Sequence, residues 1–434
     1  MSLVAPRRKT RVLNVGDVKI GGDSPIAVQS MATADTRDPK ATLEQIAELA
    51  DAGCEIVRIA VPDRKAAAAL PDIVPYSPVP LIADIHFEHT LALKALEAGI
   101  HGLRLNPGNI RKHEDVREVV KVAKERGTPI RIGVNYGSVP PMPQEFVDEM
   151  AEQNATQVQL RAEWMVRTGL GHIQILEDLD FFDIKVSMKA FEVPVMLEAY
   201  RRFAALPNDY PLHLGVTEAG TPRAGSVRSA VGLGTLLALG IGDTIRVSLT
   251  TDPVEEVFVG FEILKSLELR QKGATMIACP TCGRLQFDMD AVVAEVEARL
   301  ETYEEPIEVA VLGCAVNGIG EAKGADFGIA GAKNEGVVFA KGKAIKKVPT
   351  AELVDTLFEQ IDLSLDRDGE VEFDEKESAE GEAWVKKIED ENAGDLTPEK
   401  IARMEHEASQ KEENDKLLVD EDVSPTAGRR FTRA

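Results

Sequence analysis

The sequence predicts an α/β protein: a (β/α)8 TIM barrel, then a small α+β domain, then an acidic C-terminal tail. Three observations carry this. Between about residues 25 and 272, short β-branched runs alternate eight times with longer amphipathic stretches. Most of those stretches stop at a glycine just before the next strand (Gly53, Gly99, Gly127, Gly240, Gly273), where the left-handed cap conformation suits glycine. The rhythm changes after Gly273, and from about Asp366 large apolar residues become scarce. Eight strand–helix units in about 250 residues are what a closed barrel needs. An open doubly wound sheet would more often carry a glycine-rich turn after its first strand, and Gln29-Ser-Met-Ala-Thr33 is not one.

In chain order, the expected barrel strands are Ala27–Met31, Ile56–Val61, Leu81–Ile85, Gly102–Leu105, Ile130–Val134, Ile184–Met188, Leu212–Val216 and Thr244–Leu249. The expected helices include Thr42–Ala52, Thr90–Ala98, Glu114–Glu125, Val193–Ala205, Val227–Leu239 and Val254–Gln271. Residues 138–182 read less clearly, because Pro140, Pro141 and Pro143 precede one long helical region. In the small domain, Met276–Ala278 and Ile307–Leu312 read as strands, and Met289–Thr302 and Thr350–Ile361 as helices around glycine-rich, hairpin-like sequence. The domains are therefore drawn at 1–272, 273–365 and 366–434. The last is expected to be disordered or to form solvated helices (Ala383–Glu391, Pro398–Gln410), since it offers too little apolar surface to offset its ordering entropy.

Composition narrows the function. The 434 residues are 44% hydrophobic and 28% charged, ordinary for a globular protein. No apolar run is long enough for a membrane helix, and Met1-Ser-Leu-Val-Ala-Pro-Arg-Arg-Lys9 has no apolar core behind its basic residues, so a cytoplasmic protein is expected. The net charge of −23 disfavours nucleic acid and anionic membranes as partners. Residues 366–434 hold 22 acidic and 11 basic residues, so much of the excess lies in the tail.

In a barrel, function gathers at the carboxyl ends of the strands. Those ends carry Arg58; Asp84 and His86; Arg104 and Asn106; Arg131 and Asn135; Ser187 and Lys189; Thr217 and Glu218; Arg246 and Ser248. Six of these groups, from six strands, are potentially cationic. Like charges facing one cavity are costly unless an anion neutralises them, so the reading is a pocket for a strongly anionic small molecule, most simply a diphosphate. Arginine suits that task because its planar fork grips phosphate oxygens in pairs. Internal ion pairs with Asp84, Glu218 or helix ends are the competing reading. Glu218, a carboxylate among cations, could serve as a proton donor or bind a substrate hydroxyl.

The second constellation is Cys279-Pro-Thr-Cys282 with Gly313-Cys314 and Glu321. No histidine lies between His213 and His406, so a Cys3His zinc site within this domain is excluded. Three cysteines with an oxygen or open fourth position suit a [4Fe–4S] cluster; structural zinc is the alternative. Cys54 starts the second strand, at the barrel floor, and reads as a buried core residue. A phosphate-binding barrel of the dihydropteroate-synthase kind with a zinc domain, and a redox sensor with a ligand-binding barrel, are the rival functions.

Ala83-Asp-Ile-His86, Leu103-Arg-Leu-Asn-Pro-Gly-Asn109, Arg131-Ile-Gly-Val-Asn135 and His213-Leu-Gly-Val-Thr-Glu-Ala-Gly220 resemble the barrel signatures of the 4-hydroxy-3-methylbut-2-enyl diphosphate synthase family. Gly242-Asp-Thr-Ile-Arg-Val-Ser248, Ala278-Cys-Pro-Thr-Cys-Gly283 and Gly313-Cys-Ala-Val-Asn-Gly-Ile-Gly-Glu-Ala322 continue the resemblance, which spans about residues 9–362. It implies reductive opening of 2-C-methyl-D-erythritol 2,4-cyclodiphosphate on the methylerythritol phosphate route to isoprenoids, with electrons from flavodoxin or ferredoxin passing through a [4Fe–4S] cluster. It implies Cys279, Cys282, Cys314 and Glu321 as cluster ligands. Arg58, His86, Arg104, Arg131, Asn135, Lys189, Arg246 and Ser248 would surround the diphosphate, and Glu218 would be nearest the reacting carbons. A head-to-tail homodimer is expected, because the eighth helix ends at the barrel bottom and starts the cluster domain on the wrong side of its own barrel. The family usually has proline where Ile319 stands, and the resemblance says nothing of the tail.

Overall fold

A computed structural model describes residues 4–85, 88–110, 112–280, 285, 287–313, 324–332, 334–366 and 369–393. The chain forms two compact units, divided between Gln271 and Lys272.

The first unit begins with a hairpin, β1 (Leu13–Val15) and β2 (Val18–Ile20), which turns at Gly16 with φ of +60°. The barrel strands follow: β3 (Ala27–Met31), β4 (Ile56–Ala60), β5 (Leu81–Asp84), β6 (Gly102–Arg104), β7 (Ile130–Asn135), β8 (Ile184–Lys189), β9 (His213–Leu214) and β10 (Thr244–Ile245). Neighbours from β3 to β8 pair in parallel, and β10 joins β9 to β3. The remaining seam is bridged between Val186 and Leu212, so the sheet comes round on itself as a barrel.

Helices α1 (Pro39–Asp51), α2 (Arg64–Ala69), α3 (His89–Glu97), α4 (His113–Arg126), α5 (Gln144–Glu152), α6 (Gln157–Glu177), α7 (Val193–Ala205), α8 (Pro222–Ala238) and α9 (Pro253–Ser266) join the strands. The alternation is regular: on β4, Val57 and Ile59 join the apolar layer shared with the helices, while Ile56 belongs to another cluster. Val15 and Ile20 of the hairpin pack there with Ala27, Ile56 and Ile82 and close the amino-terminal end. The hairpin lies outside the sequence reading because three-residue strands show no period. Residues 138–182 resolve into two helices, and α6 starts at a capping box in which Thr156 and Gln159 satisfy each other's backbone. No helix among the described residues is long and apolar enough to cross a membrane.

The second unit holds a five-stranded sheet in sequential order: β11 (Thr275–Ala278), β12 (Glu308–Leu312), β13 (Phe327–Gly331), β14 (Glu335–Ala340) and β15 (Lys343–Pro349). The first three strands run parallel and the last two form antiparallel pairs. Helices α10 (Met289–Leu300) and α11 (Leu353–Leu365) cover one face. A last helix, α12 (Glu375–Ala393), lies within the segment expected as a tail from residue 366. It packs on the opposite face through Trp384 and Val385, because Gly381 lets its backbone approach β14 and β15. Residues 394–434, including the expected helix Pro398–Gln410, lie outside the described residues.

Candidate active site

Nine residues line one cavity of about 60 Å³ at the carboxyl ends of the barrel strands: Arg58, Arg104, Arg131, Gly133, Asn135, Lys189, Thr217, Arg246 and Ser248. Parallel register explains the crowding. Arg104 pairs with Asp84 on one side and Arg131 on the other, and Asn135 pairs with Lys189. Small residues make room for the long ones. A Cβ at Gly133 would stand 2.8 Å from Arg104 Nε, and one at Gly215 would stand 2.4 Å from Lys189 Nζ.

Two carboxylates balance this charge in part. Asp84 lies 3.4 Å from Arg58 Nε and 3.4 Å from Arg104 Nη1, spanning two cations. Glu256, in the first turn of α9, receives Arg246 through Nε at 3.1 Å and Nη2 at 3.0 Å. Arg246 Nη1 also donates to Ser248 Oγ at 2.5 Å, and Arg131 Nη1 donates to Ser187 Oγ at 3.1 Å. Among the described residues, no carboxylate forms an ion pair with Arg131 or Lys189. Burial pushes Arg58 down to about 10, against the pull of Asp84. Burial, then Arg58 and Arg104, holds Arg131 well below the usual arginine range. Lys189 is likewise held well down by burial and by Arg131, Arg58 and Arg246. Cations gathered this way, outnumbering the carboxylates paired with them among the described residues, suit an anion.

One layer lower, Lys185 Nζ is buried and has no hydrogen-bond partner among the described residues, and burial takes its pKa down to about 7. His213 bonds Thr244 Oγ1 through Nδ1 at 2.8 Å, while Nε2 has no partner there.

The expected site residues take different places. Asn106 engages the wall: its amide donates to Gly133 O and accepts from Gly133 N, both at 2.8 Å. Asp84 is tied to two arginines, as the ion-pair reading had it. Thr217 lines the cavity, and its neighbour Glu218 is exposed with φ of +55°, a left-handed conformation that is strained for glutamate. Its carboxylate has no hydrogen-bond or ion-pair partner among the described residues. His86 lies outside the described residues. Glu256 was missed: Pro253-Val-Glu-Glu256 reads as acidic residues complementing a helix start. Nothing in the sequence separates exposed Glu255 from buried Glu256.

In the second unit, β11 and β12 end side by side, with Ala278 opposite Val311. Their next residues meet: Gly313 N donates to Cys279 Sγ at 3.1 Å, and a Cβ at Gly313 would lie 3.5 Å from that sulfur. This sets Cys279 beside the residue that precedes Cys314. Cys282, Cys314 and Glu321 lie outside the described residues, and the described residues contain no complete metal-ligand group. Cys54 is buried at the barrel floor, as expected, and burial pushes its thiol up to about 12.

The fold and site define a class of two-unit proteins: a TIM barrel with a cationic cavity at its strand ends, followed by a small cysteine-bearing unit. Residues 10–261 match the GcpE TIM-barrel domain and residues 275–363 the GcpE protein C-terminal domain. The chain belongs to the 4-hydroxy-3-methylbut-2-en-1-yl diphosphate synthase (GcpE) family of oxidoreductases. A relative in Geobacter sulfurreducens, named 4-hydroxy-3-methylbut-2-en-1-yl diphosphate synthase (flavodoxin), is 55% identical over 356 residues, covering 82% of this chain and 98% of its own. One in Dehalococcoides mccartyi with the same name is 54% identical over 355 residues, again 82% and 98%. A solved dihydropteroate synthase from Xanthomonas albilineans covers 60% of this chain and 98% of its own at 14% identity and a TM-score of 0.42, a likeness too loose to carry an argument.

Proposed function

We propose that the protein reductively opens 2-C-methyl-D-erythritol 2,4-cyclodiphosphate to 4-hydroxy-3-methylbut-2-enyl diphosphate in the cytoplasm, for isoprenoid synthesis. The balance takes up two electrons and two protons and releases one water. The observation that carries the reading is the convergence of Arg58, Arg104, Arg131, Lys189 and Arg246 on one cavity. Family membership supplies the reaction that such a pocket would serve.

Residues 1–272 would bind the substrate. The arginines grip the diphosphate oxygens in pairs and Lys189 acts as a point charge. Asn135, Ser248 and Thr217 offer neutral hydrogen bonds, and His86 completes the set. Asp84 and Asn106 hold the wall, so the cations keep their aim while the ring opens and charge moves onto the diphosphate. Glu218, exposed and held in its strained conformation, would give a proton near the reacting carbons from its protonated carboxyl group.

Residues 273–365 would carry a [4Fe–4S] cluster on Cys279, Cys282, Cys314 and Glu321. The donor chemistry fits: three soft thiolates and one displaceable carboxylate, with Cys279 already beside the strand end that leads to Cys314. When bound, the cluster supplies electrons and Lewis acidity for the departing oxygen. Flavodoxin is the electron donor favoured by the relatives' names, with ferredoxin as the alternative. A head-to-tail homodimer would bring one subunit's cluster to the other's barrel.

The test is anaerobic purification with iron and sulfide analysis, then turnover of the cyclic diphosphate with reduced flavodoxin, followed by phosphorus NMR. The expected result is four irons and four sulfides per chain and conversion to the linear diphosphate. Zinc in place of iron, or a full cluster with no turnover under either donor, would overturn the proposal.

A further inference from the structure

The matched C-terminal family domain stops at residue 363, but the fold of the second unit does not. Within it, α10 and α11 share one face of the sheet with Val309, Val311, Phe327, Ile329, Val338 and Ile345. The alternate residues Ala310, Leu312, Ala330, Val337, Phe339 and Ala344 point the other way and are equally apolar. Strands apolar on both sides belong to a sheet covered on both sides. Residues 275–363 supply no helix to this second face among the described residues. What covers it is α12.

The contact is built. Ser378, Gly381, Trp384 and Val385 follow helical spacing along one side of α12. Ser378 Oγ donates to Ala344 O at 2.7 Å, and Lys346 pairs with Glu377 at 3.6 Å at the margin. A Cβ at Gly381 would meet Ala344 Cβ at 2.9 Å and Val337 Cγ2 at 3.3 Å. Glycine weakens a helix interior, and here it gives the close approach. Asp374 starts the helix by accepting from Lys376 N and Glu377 N, both at 2.9 Å. Trp384 and Cys279 both pack at the border of this apolar cluster.

We propose that α12 is a built-in cover for the cysteine-bearing sheet, turning a two-layer domain into a three-layer one. It keeps the outer face of β12, β14 and β15 dry and steadies the strand ends at Cys279. Without it, that face becomes a self-association surface.

The test compares the full chain with one ending at Leu365 and with full-length Gly381→Glu, which drives a charged side chain into the contact. Amide hydrogen exchange in β14 and β15 is expected to speed up at least tenfold in both altered forms. The shortened chain should also bind an apolar dye and self-associate with rising concentration, and a synthetic 370–393 peptide should restore slow exchange. A second unit that fails to fold beside an intact barrel also supports the proposal, because it makes α12 an integral layer. Exchange and dye binding equal to the full chain in both forms would overturn it and leave α12 a solvated appendage. Faster exchange with no self-association would overturn the self-association claim.

Discussion

Glu256→Gln probes the cationic pocket without replacing a residue that lines it. The Glu256 carboxylate is 3% exposed and receives four hydrogen bonds. Arg246 Nε at 3.1 Å and Ser30 Oγ at 2.9 Å reach one oxygen; Arg246 Nη2 at 3.0 Å and Leu249 N at 2.9 Å reach the other. Glutamine keeps the shape but has one acceptor fewer. Whichever way the amide turns, its NH2 faces a guanidinium N–H. A charge-assisted hydrogen bond of ~1.5–3 kcal/mol is lost, and breaking a buried ion pair costs ~3–5 kcal/mol. The Arg246 side chain is 18% exposed, so the lower end applies, ~3 kcal/mol.

At roughly 2–4 °C per kcal/mol for a unit of this size, the barrel should melt ~6–12 °C lower. The sign reverses with ligand. Arg246 without its carboxylate is a stronger anion partner, so the cyclic diphosphate should raise the melting temperature more in the variant than in the parent. Differential scanning calorimetry with and without the cyclic diphosphate measures both effects. An unchanged melting temperature in the free protein, or a smaller ligand shift in the variant, would refute the reasoning.

Further outcomes follow from the same geometry. Lys185 falls from an ordinary value near 10.5 to about 7 by burial, so between those pH values the unfolded chain binds more protons and stability rises with pH. Lys185→Met should therefore stabilise most below pH 7, by up to ~5 kcal/mol. The gain should fade toward pH 10 in a melting-temperature series, and a flat difference would contradict it. Gly215→Ala places a methyl 2.4 Å from Lys189 Nζ and 2.8 Å from Arg246 O. Losing the Lys189 contact should weaken cyclic diphosphate binding ~10- to 100-fold by calorimetry with the circular dichroism unchanged. Cys279→Ser should abolish iron binding while leaving the barrel folded, whereas Cys54→Ser should keep the full iron content, because the Cys54 thiol is buried and inert. Iron loss in Cys54→Ser would show the ligand set to be wrong.

The barrel was legible because its period is strong. Branched apolar residues recur at strand spacing, and glycine caps mark the helix ends, as at Gly127 with φ of +65°. The cationic cavity was legible because barrel topology maps strand ends to one place, so Arg58, Arg104, Arg131, Lys189 and Arg246 could be read as neighbours. What escaped depends on partners distant in sequence. Glu256 is defined by Arg246 and by Ser30, 226 positions away. Asn106 reads as a free amide until Gly133 takes both its ends. In α12, a glycine and four acidic residues before Trp384 suggest solvated chain, because Gly381 gains meaning only against Ala344 and Val337. The β9 and β10 ladders are two residues each, shorter than the apolar runs suggested, and the residues beyond them carry Thr217, Glu218 and Ser248.

The most direct test is a crystal structure of the anaerobically prepared protein with the cyclic diphosphate bound. Diphosphate oxygens are expected within hydrogen-bond distance of Arg58, Arg104, Arg131, Lys189 and Arg246, with Glu218 facing the carbon skeleton. A diphosphate bound elsewhere, with these cations still drawn together over the present cavity, would contradict it.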